Sequence, residues 1–176
     1  MPRCLSCGQR WEGSHLLCPQ GASPSSGPSA TSRPPLPRLA FPGYELERTV
    51  AQGGFGTILA ARRQRDGQRV AIKVLHRMRS PGAEGPELEA EALRAIGPPT
   101  VPQVYETGHL AEGQAFIVMQ FIDRPLLAER LARWQGPKPE AVRYALELAE
   151  ALEIVHGNGF IHCDLKPENI LSLIHI

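Results

Sequence analysis

Three stretches in which apolar and polar residues alternate follow one another between residues 44 and 75. Alternation with a period of two predicts strands that are buried on one face. Turn signals separate the stretches: a glycine-rich segment that ends at Gly56, and then an Asp66-Gly67 pair, which favours a tight hairpin. The stretches cover residues 44–50, 57–63 and 68–75. The sequence therefore predicts three consecutive antiparallel strands.

A helix, two more strands and a longer helix are predicted after these strands. Residues 86–96 carry apolar side chains at helical spacing, and Gly97 followed by two prolines ends that helix. Strands are expected near residues 103–107 and 114–121. The longer helix has apolar residues three and four positions apart, which predicts one buried face made of Val142, Ala145, Ala149, Leu152 and Val155. Strands first and helices later indicate the α+β class.

Three of the four cysteines lie near the start of the chain, at Cys4, Cys7 and Cys18. Two thiolates separated by two residues can bind one zinc ion, and a tetrahedral site needs two further ligands. Gly21 stands where a zinc ribbon would have its fourth cysteine, and His15 is the nearest substitute ligand. Two interpretations of residues 1–21 stay open: an incomplete zinc-ribbon-like segment, or reduced surface thiols in an unordered start.

Residues 22–43 are predicted to form a linker between this segment and a domain that begins at Tyr44. Residues 19–42 contain seven prolines, five serines and no acidic residue. Proline removes backbone donors and favours extended conformations, so a segment of this composition does not build a core of its own.

Charge and hydropathy exclude two classes of partner. The chain has 19 basic and 18 acidic residues, which gives no electrostatic reason to expect a nucleic acid. Every apolar run is interrupted well before the ~20 residues that a membrane-spanning helix needs, and the start lacks the apolar core of a signal peptide. We therefore expect no nucleic-acid partner, no membrane span within these residues and a cytoplasmic location; a span beyond the last residue stays open.

Residues 161–169 carry the most specific motif, Ile-His-Cys-Asp-Leu-Lys-Pro-Glu-Asn. It resembles the catalytic loop of eukaryotic-type protein kinases, His-Arg-Asp-x-x-x-x-Asn. Together with the motifs before it, the chain from about Tyr44 is similar to the first half of such a domain, especially in the bacterial Ser/Thr branch. The resemblance implies a protein-kinase-like fold, with a complete five-stranded N-terminal lobe that carries one helix and the first part of a helical C-terminal lobe.

The resemblance also implies roles for three residues of this loop. Asp164 would orient the acceptor hydroxyl and accept its proton, Asn169 would bind magnesium, and Lys166 would neutralise charge on the transferred phosphoryl group. The string Asp-Leu-Lys-Pro-Glu-Asn is typical of Ser/Thr rather than Tyr kinases. ATP and magnesium are thus the implied cofactors, and the implied partner is a protein with a serine or threonine acceptor.

Lys73 ends the string Val-Ala-Ile-Lys, which resembles the third-strand motif whose lysine contacts the α- and β-phosphates. In kinases this lysine pairs with a glutamate of the following helix. Glu84, Glu87, Glu89 and Glu91 compete for that role, and the register of the kinase family, counted back from the Gly-Pro-Pro stop, implies Glu89. The alternative for Glu89 is an ordinary exposed helix residue.

The remaining nucleotide contacts are also implied by the resemblance. The glycine-rich loop, whose amides would approach the phosphates, comprises Gly53, Gly54, Phe55 and Gly56. The residues around the adenine would be Ile58 and Ala71 above it, Met119 as gatekeeper, the backbone of Gln120, Phe121 and Ile122 at its edge, and Leu171 beneath it.

Two positions depart from the kinase pattern. Ala51 replaces the first glycine of the loop, and Cys163 replaces the arginine that usually binds a phosphorylated activation loop. Cysteine carries no fixed positive charge, which favours control without that phosphate.

After Asn169 only seven residues remain, so no Asp-Phe-Gly motif follows. We expect a kinase domain over residues 44–170, truncated after the catalytic loop, and a non-native tail over residues 171–176, in which Leu171 still fits the apolar position that a kinase has beneath adenine. The expected function of the parent protein is Ser/Thr phosphorylation, with these 176 residues alone inactive. The alternatives are a nucleotide-binding pseudokinase scaffold with a zinc-ribbon-like interaction segment, and a metal-responsive adaptor.

Overall fold

The computed structural model describes residues 3–4, 39–53, 56–75, 86–133 and 138–171. Most of the two regions before Tyr44 lies outside these ranges, so their predicted boundaries stay predictions. The strands, in chain order, are β1 Arg3–Cys4, β2 Tyr44–Gly53, β3 Gly56–Arg63, β4 Arg69–Leu75, β5 Val104–His109, β6 Ala115–Gln120 and β7 Phe160–Ile161. The helices are α1 Pro86–Ile96, α2 Leu127–Leu131 and α3 Lys138–Gly157, and a 3-10 turn covers Pro167–Asn169.

Five strands form one antiparallel sheet in the order β2-β3-β4-β6-β5. The three consecutive strands predicted from alternation are neighbours in this sheet, and the Asp66-Gly67 turn joins β3 to β4. Strand β6 pairs with β4 and β5 pairs with β6, so the connection through α1 carries the chain to the far edge. The predicted five-stranded lobe with one helix is confirmed.

The two faces of the sheet are buried by different parts of the chain. Cross-strand partners point to the same face, and the face alternates along each strand. One face holds Leu59, Val70, Ile72, Val74 and Val118, which pack under Phe41, a residue that precedes β2. On the other face, α1 contributes Ala90 and Leu93, which pack on Val104, Ile117 and Leu75. Lys73 belongs to this second face, because its cross-strand partners are Ile58 and Ile117.

Helix α3 departs from the single buried face that its periodicity predicts. Val155 is buried and Leu152 is half-buried, but Ala145 and Ala149 are exposed and Val142 is 58% exposed. Within the part of the chain that the structure describes, α3 packs against β7, close to its C-terminal end. The apolar pattern identified the helix correctly, but most of the face that it predicts is exposed on the first turns.

Two features were not predicted from the sequence. The short helix α2 follows β6, and β1 pairs in parallel with β7, where the Arg3 N–H donates to the Gly159 carbonyl at 2.9 Å. No helix of the described ranges is both long and apolar enough to cross a membrane.

Candidate active site

Lys73 and Glu89 form an ion pair between the sheet and α1. The Lys73 Nζ lies 2.5 Å from the Glu89 Oε1, and the two side chains are only 20% and 18% exposed. The pair bridges β4 and α1 because Lys73 is on the sheet face that α1 covers. Glu91 is exposed, whereas Glu84 and the side chain of Glu87 lie outside the described part of the chain. The contact made by Glu89 is the one that the helix register predicts.

Asp164 stands at the centre of a polar cluster in the loop after β7. The Lys166 Nζ lies 3.0 Å from the Asp164 Oδ2, and the Asn169 Nδ2 donates to the same oxygen at 2.9 Å. The Asn169 Nδ2 also donates to the Asp164 carbonyl at 2.8 Å. These contacts bring together the three residues that the sequence motif places at spacings of two and three.

The backbone of this loop is what directs the three side chains to one place. Cys163 has a φ of 58°, in the left-handed region that few non-glycine residues adopt. The Asp164 N–H then donates back to the His162 carbonyl at 2.9 Å, and the Asn169 N–H donates to the Lys166 carbonyl at 2.9 Å. The reversal at Cys163 and the 3-10 turn together fold Asn169 back onto Asp164.

His162 is a half-buried residue beside the cluster. Burial lowers its pKa from the ordinary 6.5, the charges of Lys166 and Lys73 lower it further, and Asp164 opposes the shift. The Asp164 N–H also donates to the His162 Nδ1, at 3.3 Å between the two nitrogens.

The glycine-rich loop connects β2 to β3, and two of its glycines are described. Gly53 pairs with Gly56 at the end of the ladder, while Gly54 and Phe55 lie outside the described residues. A Cβ on Gly56 would lie 2.3 Å from the Val74 carbonyl oxygen, whereas a Cβ on Gly53 would meet none of the described residues within 4 Å. Gly56 is therefore required by packing on β4, whereas Gly53 is not required by packing against the described residues.

The residues proposed to surround adenine lie where β4 and β6 approach the connection to α2. Ala71 pairs with Met119, and both are buried, while Ile58 is half-buried on β3. The Gln120 N–H donates to the Gln103 carbonyl at 2.8 Å, so this N–H is already used within the sheet. Phe121 and Ile122 follow as irregular, half-buried residues.

Leu171 contacts the segment that connects β6 to α2. It pairs with Leu126 in an isolated antiparallel bridge, and the Leu127 N–H donates to the Ile170 carbonyl at 2.8 Å. The structure thus brings the residue expected beneath adenine next to the start of α2, a few residues after the segment expected at its edge. The sequence carries no signal for this bridge, since a single pair of leucines has no periodicity.

The structure describes none of the three cysteine side chains for which zinc was considered: Cys4 has a described backbone only, and Cys7 and Cys18 lie outside the described ranges. Within the described ranges no three His, Cys, Asp or Glu side chains are clustered so that they could hold a metal ion. Zinc binding stays a prediction.

Comparison with known proteins decides the family. The sequence profile of the protein kinase domain matches residues 44–175. The chain belongs to the protein kinase family. Its relatives include "Probable serine/threonine-protein kinase pknA2" of Bifidobacterium longum, 33% identical over 135 residues that make up 73% of this chain. "Serine/threonine-protein kinase pkn2" of Myxococcus xanthus is 33% identical over 130 residues, or 72% of this chain.

A third relative matches beyond the kinase domain. "Serine/threonine-protein kinase Pkn1" of Myxococcus xanthus is 28% identical over 186 aligned residues, which cover 95% of this chain. The matched regions are 18%, 16% and 26% of the lengths of these three relatives, so the chain spans about a quarter of them or less.

Proposed function

We propose that residues 44–170 belong to an ATP-dependent protein kinase that transfers the γ-phosphate to a serine or threonine hydroxyl of a protein substrate. The observation that supports this best is the Asp164 cluster, in which one carboxylate contacts both an ammonium group and an amide. The family and the names of the relatives support the same reaction.

The geometry of Asp164 suits the orientation of an acceptor hydroxyl. Lys166 and Asn169 both contact Oδ2, and among the described residues no side chain donates to Oδ1. Oδ1 is therefore the atom we expect to accept the hydroxyl hydrogen bond and finally the proton, because a general base must lie within hydrogen-bond reach of the proton that it removes. Lys166 then supplies positive charge beside the group in transit.

Asn169 has the donor chemistry that magnesium prefers. Its Nδ2 is used by Asp164, which leaves the amide Oδ1, a hard oxygen ligand of the kind that suits Mg²⁺. Mg²⁺ is usually held by one or two carboxylates together with phosphate oxygens and water, so the Asn169 amide oxygen would be one ligand beside these. Bound magnesium would offset the negative charge of the ATP phosphates.

Lys73 is the proposed phosphate ligand from the N-terminal lobe. Its ion pair with Glu89 fixes the end of a flexible side chain, so less entropy has to be lost when phosphate binds. The glycine-rich loop between Gly53 and Gly56 is expected to lie over the phosphates, and the lack of a Cβ at Gly53 allows the close approach of a ligand to the backbone.

Binding of MgATP to this chain tests the nucleotide part of the proposal. Lys73→Met should weaken binding by about tenfold or more in calorimetry, because a charge-assisted contact to phosphate is lost. Arg94→Met removes an exposed cation from α1 and is the matched control; it should bind as the wild type does. Equal affinity of the Lys73→Met variant would contradict the assignment.

Transfer is tested in the complete protein that contains these residues. Asp164→Ala should lower the rate by about 10²- to 10⁴-fold while MgATP affinity changes less than about twofold, because Asp164 is assigned to the hydroxyl and not to the nucleotide. Glu168→Ala removes an exposed carboxylate from the same loop and should retain activity. A wild-type protein that binds MgATP and transfers nothing would favour the pseudokinase scaffold, which Ala51 and Cys163 suggest.

Zinc binding by Cys4, Cys7 and Cys18 is a separate part of the proposal. Metal analysis of the purified chain should give one zinc per molecule, and Cys7→Ser should remove it, because two remaining thiolates rarely hold a structural zinc ion. A chain without zinc would leave reduced thiols as the interpretation.

A further inference from the structure

We propose that Arg69 is a positioning residue that holds the segment after β6, residues 121–123, in the geometry that adenine binding requires. The inference rests on the proposed function, because it concerns the backbone to which the adenine edge is assigned. It assigns a task to Arg69, Glu47 and Phe121 as a unit, which we call the hinge latch.

The latch begins with two arginines that face each other across the sheet. Arg62 on β3 pairs with Arg69 on β4, and like charges in directly opposed positions destabilise a sheet. Glu47 on β2 resolves this repulsion: its Oε1 accepts from the Arg62 Nη2 at 3.0 Å and its Oε2 accepts from the Arg69 Nε at 2.7 Å. Both carboxylate oxygens are thus used, and the guanidinium plane of Arg69 is fixed by its Nε.

The fixed guanidinium reaches the segment after β6. The Arg69 Cζ lies 4.2 Å from the centre of the Phe121 ring, and the Arg69 Nη1 lies 3.5 Å from the Asp123 Oδ2. Arg48 also approaches the ring, at 6.0 Å, which is the outer limit of a cation–π contact. The nearer arginine is therefore the one that we expect to hold the ring.

Burial separates the strong contacts of Arg69 from the weak one. Asp123 is 81% exposed, so water and salt screen its ion pair and it contributes little. Glu47 is 25% exposed and Arg69 is 33% exposed, and the Arg69 hydrogen bond is the largest cause that lowers the pKa of Glu47. Glu47 therefore restrains the Arg69 side chain, and Arg69 in turn restrains the Phe121 ring. The ion pair with Asp123 contributes only to the orientation of the guanidinium.

This latch matters because residues 121–125 lie in no helix or strand, between the end of β6 at Gln120 and the start of α2 at Leu127. The backbone of an irregular segment keeps one geometry only where side chains restrain it. The backbone of Phe121 is itself among the groups assigned to the adenine edge, so a restraint on its ring also restrains that backbone. Without the latch, part of the binding free energy has to order them first.

The test compares two ligands that share the phosphates and differ in the base. MgATP uses both the adenine edge and the phosphate contacts, whereas magnesium tripolyphosphate uses only the latter. Arg69→Met and Phe121→Leu should each weaken MgATP binding to the chain by about 3- to 10-fold and leave tripolyphosphate binding within about twofold. Phe121→Tyr keeps an aromatic ring and should retain the wild-type ratio of the two affinities. Arg65→Met is the matched control, because Arg65 is 74% exposed and its Nε lies 3.7 Å from the Asp66 Oδ2 in the hairpin turn.

The outcomes separate this inference from the proposed function. A wild-type chain that binds MgATP no better than tripolyphosphate contradicts the adenine site itself. A wild-type chain that prefers MgATP, with an Arg69→Met variant that keeps the same preference, overturns the latch alone. Far-UV circular dichroism of each variant reports folding, and if Arg69→Met does not fold, the pair Phe121→Leu and Phe121→Tyr decides the question by the same ratio.

Discussion

Replacement of Gly56 by alanine should destabilise the N-terminal lobe, although alanine is the smallest possible change. The added Cβ would lie 2.3 Å from the Val74 carbonyl oxygen and 3.3 Å from the Leu75 Cα. Ordinary contacts are about 1 Å longer than the first distance, and the obstacle is backbone that cannot rotate away. The end of β3 therefore has to separate from β4.

The magnitude follows from what this separation breaks. Gly56 and Thr57 pair with Leu75 and Val74, so one or two ladder hydrogen bonds are lost, at about 0.5–1.5 kcal/mol each, and some packing is lost with them. We expect the free energy of unfolding to fall by about 2–3 kcal/mol.

Gly53→Ala is the matched control, because none of the described residues lies within 4 Å of its added Cβ. It should be neutral or should stabilise the chain by up to about 1 kcal/mol, because alanine lowers the entropy of the unfolded chain. Urea unfolding followed by far-UV circular dichroism measures both variants. If Gly56→Ala and Gly53→Ala unfold with free energies that agree within about 0.5 kcal/mol, then the steric argument is wrong.

Three further predictions concern charge and exposure. Glu89→Gln should lower the free energy of unfolding by about 1–3 kcal/mol in urea titrations, because it leaves the mostly buried Lys73 ammonium unpaired, while Glu91→Gln should change it by less than about 0.5 kcal/mol; equal effects would refute the ion pair. His162 has a lowered pKa in the folded chain, so its contribution to stability is present above pH 6.5 and is lost as the pH falls below that value. His162→Gln should therefore flatten the decline in the free energy of unfolding from pH 7 to pH 5. If the free energies of the variant and of the wild type decline by the same amount, the assignment is wrong. Leu146→Lys, at a residue 60% exposed on α3, should leave unfolding unchanged and reduce aggregation measured by light scattering, whereas a large loss of stability would mean that this face is covered.

The sheet was predictable from the sequence because its signals are local. Alternation fixes which side chains share a face, and Asp66-Gly67 fixes a hairpin, so β2, β3 and β4 follow from short stretches of sequence. Helix α1 was equally clear, because Gly97 and two prolines end it. The exposure of the first turns of α3 was not predictable, because periodicity identifies an apolar face but does not indicate what covers it.

In the candidate site, too, the contacts within one short motif were predictable and the contacts between remote residues were not. The spacing of Asp164, Lys166 and Asn169 already places three functional groups in one loop, and the structure brings them within 3.0 Å. The contact of Arg69 with Phe121 was missed because the two residues are remote in sequence and each has an ordinary local interpretation, one as the start of a strand and the other as a residue after a strand. A contact between two residues that are remote in sequence leaves no periodic or spacing pattern in the sequence.

The pairing of β1 with β7 has a consequence for the order in which the fold opens. It joins position 3 to position 160, so its few hydrogen bonds close a loop that contains almost the whole described chain. Closing such a loop costs about 3 kcal/mol more entropy than closing a hairpin of a few residues. This contact should therefore form last and break first, and in hydrogen exchange the Arg3 amide should exchange long before the amides of the β3–β4 ladder.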